Sequence, residues 1–118
     1  MIDDQTINWE QTLFQIILHA GNARTKALEA AEKAEEGNYE EAEALLEEAE
    51  VEQAEAHKVH AKIIQMEAGG EQVPFSVLLV HSMDLLLLSW AEIDHTRQMT
   101  GLFKRITDLE REVKKWQK

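Results

Sequence analysis

Ser76-Val77-Leu78-Leu79-Val80-His81-Ser82-Met83-Asp84-Leu85-Leu86-Leu87-Leu88-Ser89-Trp90 is the stretch on which the reading of this chain turns. Its apolar residues point around whole helical turns, first at Val77 to Val80 and again at Leu85 to Leu88. A helix apolar on every side is expected to be buried on every side. His81 and Asp84 lie three residues apart within it, on neighbouring positions of one helical surface. A carboxylate buried among leucines without a partner costs roughly several kcal/mol. Something outside this helix must therefore meet the two polar groups.

Working outward, Val73-Pro74-Phe75 reads as extended, because the residue before proline avoids the helical region. Ser76 is then the cap of a long helix over about 76–114. The distal part of that helix carries Met99, Leu102, Ile106, Leu109, Val113 and Trp116 at alternating three- and four-residue steps. Such a stripe is enough to fill a bundle core. Upstream, Gly69-Gly70 stops a helix over about 39–68, with Ala42, Leu45, Leu46, Ala49, Ala56, Ile63 and Met66 inward. Gly37 suits the left-handed residue that ends a first helix over about 6–36. Asn38 is read as the next cap, with Glu41 completing a capping box. In the first helix Ile7, Phe14, Ile17, Leu28 and Ala31 form the expected inner stripe, widened by Leu13 and Ala20.

Three long helices with short joints predict one all-α domain over 1–118, an antiparallel up-down-up three-helix bundle. The apolar surplus on the proximal half of the third helix predicts a homotrimer with that half at its centre.

Composition narrows the function classes. The chain has no cysteine, which excludes thiolate metal sites and thiol redox chemistry. A net charge of -11 argues against nucleic acid, whose phosphates need clustered Lys and Arg. Twelve of the 23 acidic residues fall between Glu29 and Glu55, which reads as a solvated face. Met1-Ile2-Asp3-Asp4-Gln5 lacks the pattern of a signal peptide, and no apolar run approaches a membrane span. The expectation is a cytoplasmic protein without membrane insertion.

Several chemical motifs compete with plainer readings. Glu36-Gly37-Asn38-Tyr39-Glu40-Glu41-Ala42 resembles a tetratricopeptide joint, but no second copy follows at a fixed period. Glu92-Ile93-Asp94-His95 has the Glu-x-x-His spacing of di-iron bundles, without the second motif and further glutamates such a site needs. His57 and His60, one turn apart, form a weak metal pair or a surface pair. His19 lies among the small residues Ala20, Gly21 and Ala23, which read as a place where another helix approaches closely. His81 has no serine, lysine or second carboxylate at catalytic spacing. What fits it is an imidazole acting alone as a nucleophile, which suits phosphoryl transfer.

The chain resembles the enzyme IIA component of the lactose/cellobiose family of the bacterial sugar phosphotransferase system. The resemblance spans about Thr12 to Ile106. It is carried by Leu18-His19-Ala20-Gly21-Asn22-Ala23-Arg24, Gly37-Asn38-Tyr39-Glu40-Glu41-Ala42, Ala56-His57, Glu67-Ala68-Gly69-Gly70-Glu71 and, above all, Val80-His81-Ser82-Met83-Asp84. It implies a trimeric three-helix bundle whose histidine, here His81, accepts a phosphoryl group from HPr. The group then passes to enzyme IIB, the partner that phosphorylates the sugar, so the sugar itself never touches this subunit. It also implies that Asp84 binds a metal ion, Mg²⁺ or another divalent cation, at the trimer axis. The chain departs from the family at Met83, where the family has glutamine, at Leu85-Leu86-Leu87, where it has His-Leu-Met, and at His60-Ala61, where it often has Gln-Thr. The alternative is a degenerate, non-catalytic trimeric paralogue that acts as a regulatory binding module.

Overall fold

A computed structural model describes residues 7–117. It contains three helices: α1 (Trp9–Glu35), α2 (Tyr39–Ala68) and α3 (Val77–Trp116). The start of α1 is set by Asn8, whose side-chain oxygen accepts from the Gln11 amide at 3.0 Å. The expected start at Thr6 lies outside the described residues.

Both joints are built the same way. At the end of α1 the Asn38 amide reaches back to the Lys33 carbonyl at 2.8 Å and the Gly37 amide to Ala34 at 3.0 Å. At the end of α2 the Glu71 amide bonds Met66 and the Gly70 amide bonds Glu67, each at 3.0 Å. These paired bonds close a helix through a left-handed residue. Gly37 (φ 90°) and Gly70 (φ 96°) fill that position, where a side chain would be strained. Asn38 does not cap α2 with its side chain, contrary to the expected capping box. Its amide group instead donates to Glu36 at 3.3 Å.

α1 lies against both other helices, and it does so through alanine. Its buried residues are Leu13, Ile16, Ala20, Ala23, Ala27, Ala30 and Ala34, whereas Phe14 and Leu28 point outward. Alanines at three- and four-residue steps let two helix backbones approach closely, and the expected stripe of larger residues is therefore rotated out of the core. α2 contributes Ala42, Leu46, Ala49, Ala56 and Ile63, close to expectation, plus the polar Gln53. Arg97 of α3 grips α2 through Glu43 at 3.2 Å and Glu50 at 2.8 Å.

The inner face of α3 is the surprise. It is Ser82, Leu86, Ser89, Ile93, Thr96 and Thr100 that are buried. Their hydroxyls are satisfied at short range: Ser82 to Leu79 O at 2.7 Å, Thr100 to Thr96 O at 2.8 Å, and Thr96 to Ala27 O across the seam at 3.2 Å. Small polar side chains bonded to nearby carbonyls cost little to bury and keep the helices close. The leucines consequently face out, with Val77 81% and Leu87 66% exposed. The distal stripe also fails to fill the bundle core, since Met99, Leu102, Ile106, Leu109, Val113 and Trp116 are all exposed.

Candidate functional site

The first turn of α3 fixes the site. Ser76 accepts the Leu79 amide on its hydroxyl at 3.0 Å, and this cap sets the phase of everything that follows. His81 falls in the second turn and Asp84 three residues on. Ser82 and Leu86 occupy the core, so His81 and Asp84 are turned to the opposite side and are both exposed. Val77, Val80, Leu87 and Leu88 surround them as an open apolar face. Within one chain the expected burial of the pair does not occur; water meets them. Among the described residues Asp84 has no ion-pair partner, and no group of three His, Asp or Glu side chains could hold a metal ion. Each chain thus supplies a single carboxylate from an otherwise apolar surface.

The other histidines have different employment. His57 stands edge-on to Trp90, ring centroids 5.5 Å apart at 71°. His60 turns its Nε2 into the protein, where it finds no hydrogen-bond partner. Burial holds its pKa below the ordinary histidine value, and neighbouring His57 lowers it further. The two rings do not converge on a common point for a cation. Of the Glu-x-x-His pair, Glu92 is engaged with Arg24 at 3.7 Å and His95 is exposed.

His19 donates from Nδ1 to Glu52 Oε1 at 2.8 Å, and Asn22 donates to the same oxygen at 3.3 Å. The His19 hydrogen bond is the main reason the Glu52 carboxyl lies below its usual pKa; burial opposes it and Asn22 assists. Ala20 and Ala23 provide the close approach expected of this segment. Gly21 does not, because a Cβ built there meets nothing within 4 Å.

Glu52 and Gln53 are the residues that sequence reasoning passed over. Gln53 accepts the Ser89 hydroxyl at 2.6 Å inside the core. The signal for it was present, since Leu46, Ala49, Gln53 and Ala56 recur at helical steps and place an amide on the buried stripe. Glu52 carried no signal of its own within a run of glutamates.

Residues 11–104 match the family described as "PTS system, Lactose/Cellobiose specific IIA subunit". The chain belongs to that family. An oligo-β-mannoside-specific EIIA component of Bacillus subtilis is 41% identical over 95 residues, covering 80% of this IIA chain and 86% of its relative. A lactose-specific EIIA component of Lacticaseibacillus casei is 37% identical over 97 residues, covering 82% and 87%. The crystal structure of a cellobiose-specific enzyme IIA from Bacillus anthracis superposes with a TM-score of 0.84 at 35% identity, covering 88% of this chain and 95% of that one.

The motifs of this IIA chain divide by what they touch. Leu18 to Arg24 carries the His19–Glu52–Asn22 clasp between α1 and α2. Gly37-Asn38 and Gly69-Gly70-Glu71 build the two helix ends. His81 and Asp84 alone among the quoted α3 residues carry polar chemistry outward, on a face no described part of the chain covers. No described helix is long and apolar enough to cross a membrane.

Proposed function

We propose that this IIA chain is a cytoplasmic phosphocarrier in which His81 receives a phosphoryl group from the phosphohistidine of HPr and delivers it to a cysteine of enzyme IIB. The observation that carries this reading is an exposed imidazole with no competing partner, set in an open apolar face of a family of phosphotransferase subunits.

In the first step the lone pair of one His81 ring nitrogen attacks the phosphorus held by HPr. A nitrogen–phosphorus bond forms on His81 as the one on the donor breaks. In the second step the thiolate of enzyme IIB attacks the same phosphorus, a sulfur–phosphorus bond forms and His81 is regenerated. Each transfer needs its reacting atoms within about 3–3.5 Å in line. The exposed Val77, Val80 and Leu88 around the imidazole give both partners the same apolar rim, so they bind in turn. Relatives named for oligo-β-mannosides, lichenan and lactose match at similar identity, which suits a subunit that hands on phosphate without contacting sugar.

The working unit in this proposal is a homotrimer joined through α3. Three copies bring three Asp84 carboxylates together among apolar side chains. Oxygen donors of this kind suit a hard divalent cation such as Mg²⁺, which supplies charge neutralisation when bound. Asp84 of each copy would hold it.

Incubation with enzyme I, HPr and labelled phosphoenolpyruvate tests the relay. The chain is expected to gain one acid-labile phosphoryl group that enzyme IIB discharges. His81→Ala is expected to gain none while keeping its helicity and oligomer mass. Label retained by that variant would move the acceptor to His19, His57 or His60.

A further inference from the structure

α3 outlasts its own bundle. Its last contacts with the α1–α2 hairpin are Phe103, packed on the core, and Thr107, whose hydroxyl lies 2.8 Å from that of Tyr39. From 108 to 117 every residue is exposed, yet the helix continues to Trp116. Leu109, Val113 and Trp116 are 64, 55 and 84% exposed on this overhang. Two to three unsupported turns of helix are marginal in water and gain stability by packing an apolar face. The family match ends at residue 104, so most of the overhang is this chain's own addition.

The spacing says what packs there. Met99, Ile106 and Val113 fall at the first core position of successive heptads, and Leu102, Leu109 and Trp116 at the second. This row is the continuation of a longer one. Val77, Val80, Asp84, Leu87, Ala91, His95 and Met99 descend the same side of α3 at three- and four-residue steps, all exposed.

We infer that residues 99–116 form a parallel, in-register coiled-coil stalk with the same segment of other copies of this chain. Two observations choose that occupant. The row runs unbroken out of the α3 face already proposed to join copies, and the inference rests on that reading for the direction of the strands. Arg105 and Glu110 also flank the seam at the two positions that face each other between parallel neighbours. Within the described residues neither has an ion-pair partner of its own. An antiparallel pairing sets like positions against like and loses this attraction.

The absence of native cysteine makes the test clean. Val113→Cys in the full chain, oxidised with glutathione disulfide, should cross-link between copies at least about ten-fold faster than Arg111→Cys, which points away from the seam, because pairing raises the effective thiol concentration. Leu87→Cys, higher on the same row, reports separately on the head assembly. Cross-linking of Leu87→Cys with Val113→Cys no faster than Arg111→Cys would overturn the stalk and leave the head assembly standing. Fast cross-linking of Val113→Cys alone would uphold the stalk and remove the head assembly. Failure of both in an oligomeric sample overturns both.

Discussion

The His19 imidazole and the Glu52 carboxylate face each other across the α1–α2 seam, Nδ1 to Oε1 at 2.8 Å, with Asn22 donating to the same oxygen at 3.3 Å. One glutamate oxygen thereby receives two donors from one helix and ties the hairpin at mid-length. A histidine that could be read as a phosphoryl acceptor is thus committed, at one ring nitrogen, to holding the scaffold.

Glu52→Gln should weaken this clasp. A hydrogen bond to a charged group contributes roughly 1.5–3 kcal/mol, and partial exposure of both partners places the loss nearer 1 kcal/mol. The folded-state pKa of Glu52 is depressed, so its contribution is present above the ordinary value of about 4.5 and is lost as pH falls through the lower folded value. Urea unfolding should therefore separate the variant from the natural chain at pH 7 and bring them together near pH 3. An undiminished gap at pH 3 would mean that the carboxylate charge is not what matters.

His60 predicts pH dependence in a different window. Its folded pKa lies below the ordinary value of 6.5 because burial disfavours the charged ring. The unfolded chain therefore takes up the proton first, and stability present above that pH is lost progressively as pH falls below it. His60→Leu removes both this linkage and the unpartnered Nε2, whose burial costs about 1–3 kcal/mol. The variant should match or exceed the natural chain at pH 7.5 and lose less between pH 6.5 and pH 5. A parallel fall in both melting curves would locate the acid sensitivity elsewhere.

Gly21→Ala should stabilise the chain. The position is helical, a Cβ there meets nothing within 4 Å, and alanine is better than glycine in a helix by about 1 kcal/mol. Denaturation of the variant at low protein concentration measures this directly. A drop in stability joined to weaker association would instead place another copy of the chain against Gly21.

Much of this could be read in advance, for identifiable reasons. Glycine and serine mark helix ends through local chemistry, so Gly37, Gly70 and the Ser76 cap sit where the residue types placed them. Asn38 misled because the turn that ends α1 uses its backbone amide and leaves its side chain to Glu36. Core faces were harder, since a periodicity count weights large side chains. The alanines of α1 and the serines and threonines of α3 win the core by letting backbones approach, and the leucines of α3 are left for another molecule. For the same reason His81 and Asp84 are exposed in the single chain, although their neighbours read as interior.

Asp84→Leu is the most informative change at the proposed trimer axis. Val80, Asp84 and Leu87 share the open face of α3, and a leucine at the middle position makes that face continuously apolar. Three carboxylates brought together there repel one another unless a cation neutralises them, and leucine abolishes the conflict outright. Replacing a buried charge cluster by apolar side chains of similar volume is often neutral or stabilising. The variant trimer should therefore persist without metal and resist dissociation on dilution at least as well as the natural chain. Chelation should act in the opposite sense, weakening the natural trimer while leaving the leucine variant unchanged. Sedimentation at pH 8 after verified metal removal separates the outcomes. An unaltered natural trimer would show that no cation is needed at Asp84, and collapse of the leucine variant would show that the carboxylate contributes something other than charge held by a metal.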